Sequence, residues 1–338
     1  MNTLKLAVSK TEYQNSINTA AEILKNGGVV GMPTETVYGL AASAYDDNAI
    51  IKVFKAKGRP QDNPLIVHIS DMDMLNEIAD DIPQVVYTLA ENFWPGPLTM
   101  VLHRTERVAQ KVSAGLLTVA VRMPSNQVAL DLISKSGLPL AAPSANVSGR
   151  PSPTTANHVV TDLDGKIDAV LMGDDCDFGV ESTVITLVGE TPVLLRPGAV
   201  TYEQLLKFLP NLEIADAVLN ELKAGDKVES PGMKYKHYAP TTEAFLVEGE
   251  GFSDFVNNQQ NAVAVCFMEE ADSIKIPKLV YGSVNDKLSL AHSIFGVLRE
   301  VDKFGAERVF IHAPEKEGVG LAVYNRLIRA AAFKVIKL

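Results

Sequence analysis

The chain has 338 residues, 46% of them hydrophobic and 21% charged, with a formal charge of −10 at pH 7. That length exceeds one typical core, so two domains are expected, and the composition is that of an ordinary globular protein. Net acidity excludes a surface that binds nucleic acid throughout, because such binding needs broad phosphate neutralisation by Lys and Arg. Any anion site has to be local.

Cys176 and Cys266 lie far apart, form no metal-like pair and set up no disulfide framework, which fits a reducing cytoplasm. Met1 to Lys10 lack the apolar core of a signal peptide, and no run of eighteen apolar residues exists to span a membrane. A cytoplasmic location is expected.

Residues 11–25 carry Ile17, Ala20, Ala21, Ile23 and Leu24 at helical spacing, and Gly27-Gly28 supplies a stop. Val29-Val30-Gly31-Met32 reads as a short buried strand that breaks into Pro33-Thr34-Glu35-Thr36-Val37-Tyr38-Gly39-Leu40. Asp46 or Asp47 can cap a helix whose Ile50, Ile51 and Phe54 share one apolar face, leaving Lys55 and Lys57 near its C-terminal end. The helix dipole favours cations there, but Arg59 lies beyond Gly58, outside the helix. Three cations in five residues of an acidic chain, after a loop of hydroxyl donors, have the form of a counter-charge for a polyanion. A solvated helix end plus an ordinary turn has the same composition.

Further strands are predicted at 65–69, 98–103, 118–122, 140–142, 169–172, 182–187 and 193–196, and helices at 72–79, 84–93, 127–136 and 155–161. Thr201 and Gln204 form a capping box for a helix over 202–208. This irregular mixture predicts an α/β domain with a mixed, twisted sheet rather than a regular doubly wound one. After Pro210 comes a weak connector, 211–228, and then Ser230-Pro231-Gly232-Met233-Lys234-Tyr235-Lys236-His237-Tyr238-Ala239-Pro240. Pro and Gly bracket that segment, so it reads as an extended linker and not a core element. Strands at 262–267, 278–281 and 308–312 then alternate with helices at 288–304 and 321–334, a small Rossmann-like layer. The expected domains are 1–208 and 243–338, with 209–242 between them.

Four clusters combine residue types that carry chemistry. Thr34, Thr36 and Tyr38 with Lys55, Lys57, Arg59 and Asn63 offer a point charge, a two-pronged donor and hydroxyls, the complement of a triphosphate. Residues 141–153, with Ser144, Asn146, Ser148, Gly149 and Ser152, allow close backbone approach to a ligand, as does any small-residue surface loop. Glu181, Ser182 and Thr183 precede a strand, while Arg196 and Arg122 end strands, positions where arginine is more often a surface residue. The linker holds Lys234, Tyr235, Lys236, His237 and Tyr238, which can stack on a base, clamp phosphates or simply anchor the linker.

Several chemistries are missing. No G-x-x-x-x-G-K-[ST] loop occurs, Ser144 has no strained G-x-S-x-G elbow, and six scattered histidines show no H-E-x-x-H spacing, so no structural zinc is expected. Gly318-Val319-Gly320 before the last helix is only a faint echo of a dinucleotide turn.

Residues 33–40, Lys57-Gly58-Arg59, Asn63-Pro64-Leu65, Phe93-Trp94-Pro95-Gly96-Pro97-Leu98-Thr99, 142–153, Ser182-Thr183-Val184 and Leu195-Arg196-Pro197-Gly198 occur in one order. That ordered set resembles the threonylcarbamoyl-AMP synthase family, and residues 230–240 and Gly320-Leu321-Ala322-Val323-Tyr324-Asn325-Arg326-Leu327 resemble its two-domain form. The resemblance implies a YrdC-like twisted mixed sheet around a concave, positively lined cavity. It implies condensation of L-threonine, bicarbonate or CO2, and ATP to threonylcarbamoyl-AMP and pyrophosphate, for threonylcarbamoyladenosine modification of tRNA. By resemblance, Lys57, Arg59, Asn63, Thr118, Ser144, Asn146, Ser152, Arg196 and His237 hold ATP, with Lys57 and Arg59 serving catalysis. Thr36, His68, Arg122, Ala142 and Ser182 surround the threonine, and residues 230–240 fold over the cavity as a lid carrying Tyr235 and His237. Mg2+ is expected with ATP, with no protein-held metal. The tRNA threonylcarbamoyl-transfer machinery is the expected transient partner, without stable nucleic-acid binding. Family members carry arginines where this linker has Lys234 and Lys236, which removes planar two-pronged contacts there. Two other readings are an RNA-binding module on the same fold and a carbamoyl-transfer enzyme of the hydrogenase-maturation type. The second lacks an acylphosphatase-like N-terminus and zinc-finger cysteines here.

Overall fold

A computed structural model describes residues 2–221 and 237–338. Among these residues the larger sheet has twelve strands of mixed direction. Its path runs Leu4–Ala7, Ala169–Met172, Val30–Met32, Gly39–Ser43, Leu140–Ala141, Ile66–His68, Thr118–Arg122, Leu98–Arg104, Thr183–Thr186, Val193–Arg196 and Glu213–Ile214, with Ala79–Asp80 pairing to the side. The register matters for chemistry. Ile66–His68 runs parallel to Thr118–Arg122 with His68 opposite Arg122, and Val184 pairs with Arg196 across an antiparallel step. Strand ends therefore gather His68, Arg122, Ser182 and Arg196 along one margin of the sheet.

Helices pack against this sheet for reasons visible locally. Asp46 accepts the amide of Asn48 to start Asp47–Lys57, and Gly58, at φ 61°, ends it in the left-handed conformation that glycine adopts without a Cβ penalty. Ile50, Val53 and Phe54 then face a core with Leu40, Ala42, Val67 and Val121, each large side chain adding about 1.5–3 kcal/mol on burial. Asn126 caps Gln127–Ser136 and Gly137 closes it, and the Thr201–Gln204 capping box is present.

A second sheet contains Lys278–Val280, Ala262–Cys266, Arg308–His312, Glu243–Glu248 and Val335–Lys337, all parallel, which requires helical crossovers between strands. Lys287–Val301 and Val319–Ala330 supply two of them. The last helix stops at Ala330 rather than 334, because Val335-Ile336-Lys337 extends alongside Leu246-Val247-Glu248 as an edge strand. Glu243–Glu248, the helix Phe252–Asn257 and the strand Gly39–Ser43 escaped the periodicity reading; the last is small-residue backbone, buried on both faces and lacking β-branched residues.

The two units meet closely. Gly179, at φ 71°, lies where a Cβ would come within 2.5 Å of the Ala291 carbonyl oxygen and of His292 Cα. Arg299 donates to both Asp162 carboxylate oxygens at 3.1 and 2.9 Å and to the Pro151 carbonyl at 2.6 Å. Of the linker, 222–236 lie outside the described residues, and with them the expected extended course and Tyr235 of the lid. Tyr238 is buried and packs its ring 5.1 Å from that of Phe295, which anchors this end of the linker.

Candidate active site

The strand ends and three loops enclose a hollow of about 650 Å³, part of it open to solvent. One wall is the loop after Val30–Met32. Thr34 Oγ1 donates to the Val37 carbonyl at 2.6 Å and receives the amides of Thr36 and Val37, which locks the turn and presents Thr36. Arg122 Nη1 donates to Thr36 Oγ1 at 2.8 Å, its Nε to the Gly96 carbonyl at 3.3 Å, and its Nη2 lies 2.7 Å from Glu35 Oε1. That last contact is a charge pair off the linear hydrogen-bond direction, since neither atom completes a hydrogen bond. Arg122 is thus a buried, pre-oriented cation and not a surface residue. Beside it, burial first and the Arg122 charge second push the His68 imidazole down to about 3, so His68 is neutral at pH 7 and its buried Nδ1 has no hydrogen-bond partner.

The opposite wall comes from Ser182 and Arg196. Arg196 donates Nε to the Ser182 carbonyl at 3.0 Å and Nη2 to Ser182 Oγ at 3.1 Å, and Ser182 Oγ lies 2.7 Å from Thr99 Oγ1. Burial, then the nearby Arg326 charge, lowers Arg196 to about 10, which leaves it charged. Arg196 is buried, although a strand-end arginine is more often on the surface. Arg59 reaches the hollow from beyond Gly58, with Nη2 donating to the Asn63 carbonyl at 3.3 Å.

Of the residues assigned to ATP by resemblance, Arg59, Ser144, Asn146, Arg196 and His237 line the hollow, and so do all five assigned to threonine: Thr36, His68, Arg122, Ala142 and Ser182. The others are placed differently. Lys57 is 2% exposed, and its Nζ donates to the carbonyls of Ser144 and Asn146 at 2.5 and 2.7 Å, behind the wall. Desolvation, then Arg59, holds its ammonium well below the usual lysine range. Asn63 is buried with both side-chain amide atoms unpartnered, and Ser152 donates to Glu181 Oε1 at 2.5 Å. Thr118 opens its strand opposite His103, at the far end from Arg122 and apart from the hollow.

His237 is the first described residue after 222–236. Its Nε2 is buried without a partner, and burial followed by the Arg59 charge pushes it down to about 3. Residues the clusters did not single out also contribute: Arg150, and Arg326 through its contact with Glu181. Arg326 had a signal, since an arginine amid Leu321, Ala322, Val323, Leu327 and Ile328 on a helix buried all round needs an internal partner. Among the described residues, four arginines and one carboxylate, Glu181, are the charged groups lining the hollow, so it attracts anions in a chain of net negative charge. Orphaned polar atoms at His68 and His237 are groups that a bound ligand would satisfy. Among the described residues no group of three or more His, Cys, Asp or Glu could hold a metal, and no helix is long and apolar enough to cross a membrane.

Residues 22–198 match the Sua5/YciO/YrdC family model, described as telomere recombination, and residues 200–332 match the model of the threonylcarbamoyl-AMP synthase C-terminal domain. The chain is 44% identical over 330 residues to the threonylcarbamoyl-AMP synthase of Pyrococcus abyssi, covering 95% of each chain. It is 41% identical over 329 residues to that of Bacillus subtilis, covering 95% and 94%. The crystal structure of P. abyssi Sua5 complexed with L-threonine superposes with a TM-score of 0.91 at 40% identity, covering 100% of both chains. Escherichia coli YciO matches at a TM-score of 0.53 and 26% identity, covering 59% of this chain and 96% of its own.

Proposed function

The chain belongs to the threonylcarbamoyl-AMP synthase family, in its two-domain form, and we propose that the hollow is where it condenses L-threonine, bicarbonate or CO2, and ATP into threonylcarbamoyl-AMP and pyrophosphate. The observation that carries this reading is the convergence of Arg59, Arg122 and Arg196 on one partly enclosed space beside Thr36, Ser144 and Ser182. Its relatives share the activity by name, so the enzyme is a nucleotidyltransferase that serves tRNA modification.

The chemistry explains the charge. The threonine amine attacks the carbon of CO2, losing a proton, or of bicarbonate, with water leaving, to give a carbamate, and a carbamate oxygen then attacks the α-phosphate as pyrophosphate leaves. Threonine and ATP bring carboxylate and phosphate charge into one place, and Coulomb repulsion opposes their meeting. Arg59 and Arg196 neutralise the nucleotide, and Arg122 with Thr36, His68, Ala142 and Ser182 receives the amino acid. Neutral His68 and His237 add hydrogen-bonding capacity without charge. Lys57 serves the nucleotide indirectly, by fixing the backbone at Ser144 and Asn146. Positioning and pre-set charge do most of the catalysis, with no covalent enzyme intermediate.

Carbamates lose CO2 in water, and the part-enclosed hollow limits that loss. The donor set does not fit a resident metal, because among the described residues Glu181 is the sole lining carboxylate and both its oxygens are engaged. Mg2+ enters as MgATP, carried on phosphate oxygens and water as part of the substrate. The product is labile, so a tRNA threonylcarbamoyl-transfer enzyme in the same compartment, the cytoplasm, receives it.

The test is pyrophosphate release that requires L-threonine and bicarbonate together. Arg59→Ala and Arg196→Ala are each expected to raise the KM for ATP by tenfold or more, the loss of a charge-assisted contact. Release independent of threonine, or undiminished in both variants, would exclude this assignment.

A further inference from the structure

Among the described residues Glu181 is the sole carboxylate lining a hollow whose other charged residues are arginines. A negative charge there repels phosphate and competes with it for the guanidinium groups, unless another cation satisfies it. That cation comes from the C-terminal unit. Arg326, on the helix Val319–Ala330, is wholly buried and donates Nε to Glu181 Oε2 at 2.7 Å and Nη2 to the Glu181 carbonyl at 3.2 Å. Its Nη1 is held by the Pro197 carbonyl at 3.0 Å and by Asn325 Oδ1 at 2.9 Å. Asn325 is itself fixed, donating to the Val218 carbonyl at 2.6 Å. The remaining Glu181 oxygen accepts from Ser152. Both Glu181 oxygens are therefore engaged, while Arg196, in the same lining, directs Nε and Nη2 to Ser182.

We propose that Arg326 is a positioning residue for the nucleotide: acting from the C-terminal unit, it holds the Glu181 carboxylate so that Glu181 does not capture the Arg196 guanidinium that the phosphates require. This deepens, and rests on, the synthase reading above. Arginine's planar fork reaches a side-chain carboxylate and a backbone carbonyl of one residue from separate, fixed nitrogens while a third group steadies it, a geometry that the single nitrogen of lysine does not reproduce. The C-terminal unit thereby contributes to the active site without lining it.

The experiment is a double-mutant cycle on the full chain with Arg326→Gln, Glu181→Gln and the pair. It reads the KM for ATP, the KM for threonine, kcat, and the Kd of a non-hydrolysable ATP analogue. Arg326→Gln is expected to weaken ATP and the analogue at least tenfold while the KM for threonine moves less than threefold, and Glu181→Gln in the same chain is expected to recover most of the loss. Arg326→Lys, which keeps charge without the fork, is expected to fall between wild type and Arg326→Gln. An unchanged analogue Kd in Arg326→Gln overturns the proposal. So does a loss that affects all parameters alike and is not rescued by Glu181→Gln, the signature of a residue that only stabilises the fold. If Arg326→Gln melts below the assay temperature, the pair and Arg326→Lys give the reading. Analogue binding separates the two ideas: a wild-type chain that binds the analogue but makes no adenylate refutes the synthase reading, and the cycle still decides Arg326.

Discussion

Replacing Lys57 by Met separates two roles for a buried cation. Methionine keeps the length of the stem and removes the ammonium, so the Ser144 and Asn146 carbonyls lose their donor in a site 2% exposed. Hydrogen bonds to a charged group contribute about 1.5–3 kcal/mol each, and an orphaned buried acceptor costs about 1–3 kcal/mol. Relief from burying the ammonium, whose pKa is driven down chiefly by desolvation, offsets part of this. The net expectation is a loss of about 2–4 kcal/mol, or roughly 5–15 °C in the melting temperature of the larger unit. Because residues 144–146 form part of the wall, a displacement of about 1 Å there should also lower kcat/KM for ATP by up to about 100-fold. Thermal melts followed by circular dichroism, with pyrophosphate release on the same samples, measure both. A Lys57→Met chain that melts within a degree of wild type yet loses ATP binding would refute the structural role and return Lys57 to direct phosphate contact.

Acidification tests the two neutral imidazoles. His68 is pushed down to about 3 from an ordinary value near 6.5, so between those values the unfolded chain binds the extra proton and stability falls as pH falls. At 1.36 kcal/mol per unit, His68 accounts for a loss of about 3 kcal/mol between pH 6.5 and 4. His68→Gln should flatten the melting profile over that range; parallel profiles would show that burial does not hold His68 neutral. Gly179→Ala has to move the backbone at Ala291 and His292 or strain a left-handed residue, at a cost of about 1–3 kcal/mol. Urea unfolding of the full chain reads it, and an unaffected midpoint would deny the close approach of the two units.

Much of the local structure was legible because it depends on neighbours in sequence. Asp46, Asn126 and Thr201 cap the helices that follow them, and the strands 118–122, 169–172 and 193–196 coincide with their hydrophobic runs. Gly39–Ser43 and Glu243–Glu248 were not legible, since what makes them strands is pairing with partners far away in the chain.

The site divides in the same way. Sequence alone determined which residue types were available: hydroxyls at 34 and 36, cations at 57 and 59, and the ordered motifs that mark the family. Where each charge points was decided only by the tertiary structure, because direction depends on which distant backbone carbonyl or carboxylate comes within hydrogen-bond reach. Lys57 looks like a phosphate ligand until the carbonyls of residues 144 and 146 are seen to claim it. Arg122 and Arg196 look like surface residues until strand register turns them inward. Arg326 meets Glu181 across 145 residues of sequence, a distance over which no local pattern carries information and only the packing of one unit on the other brings the charges together.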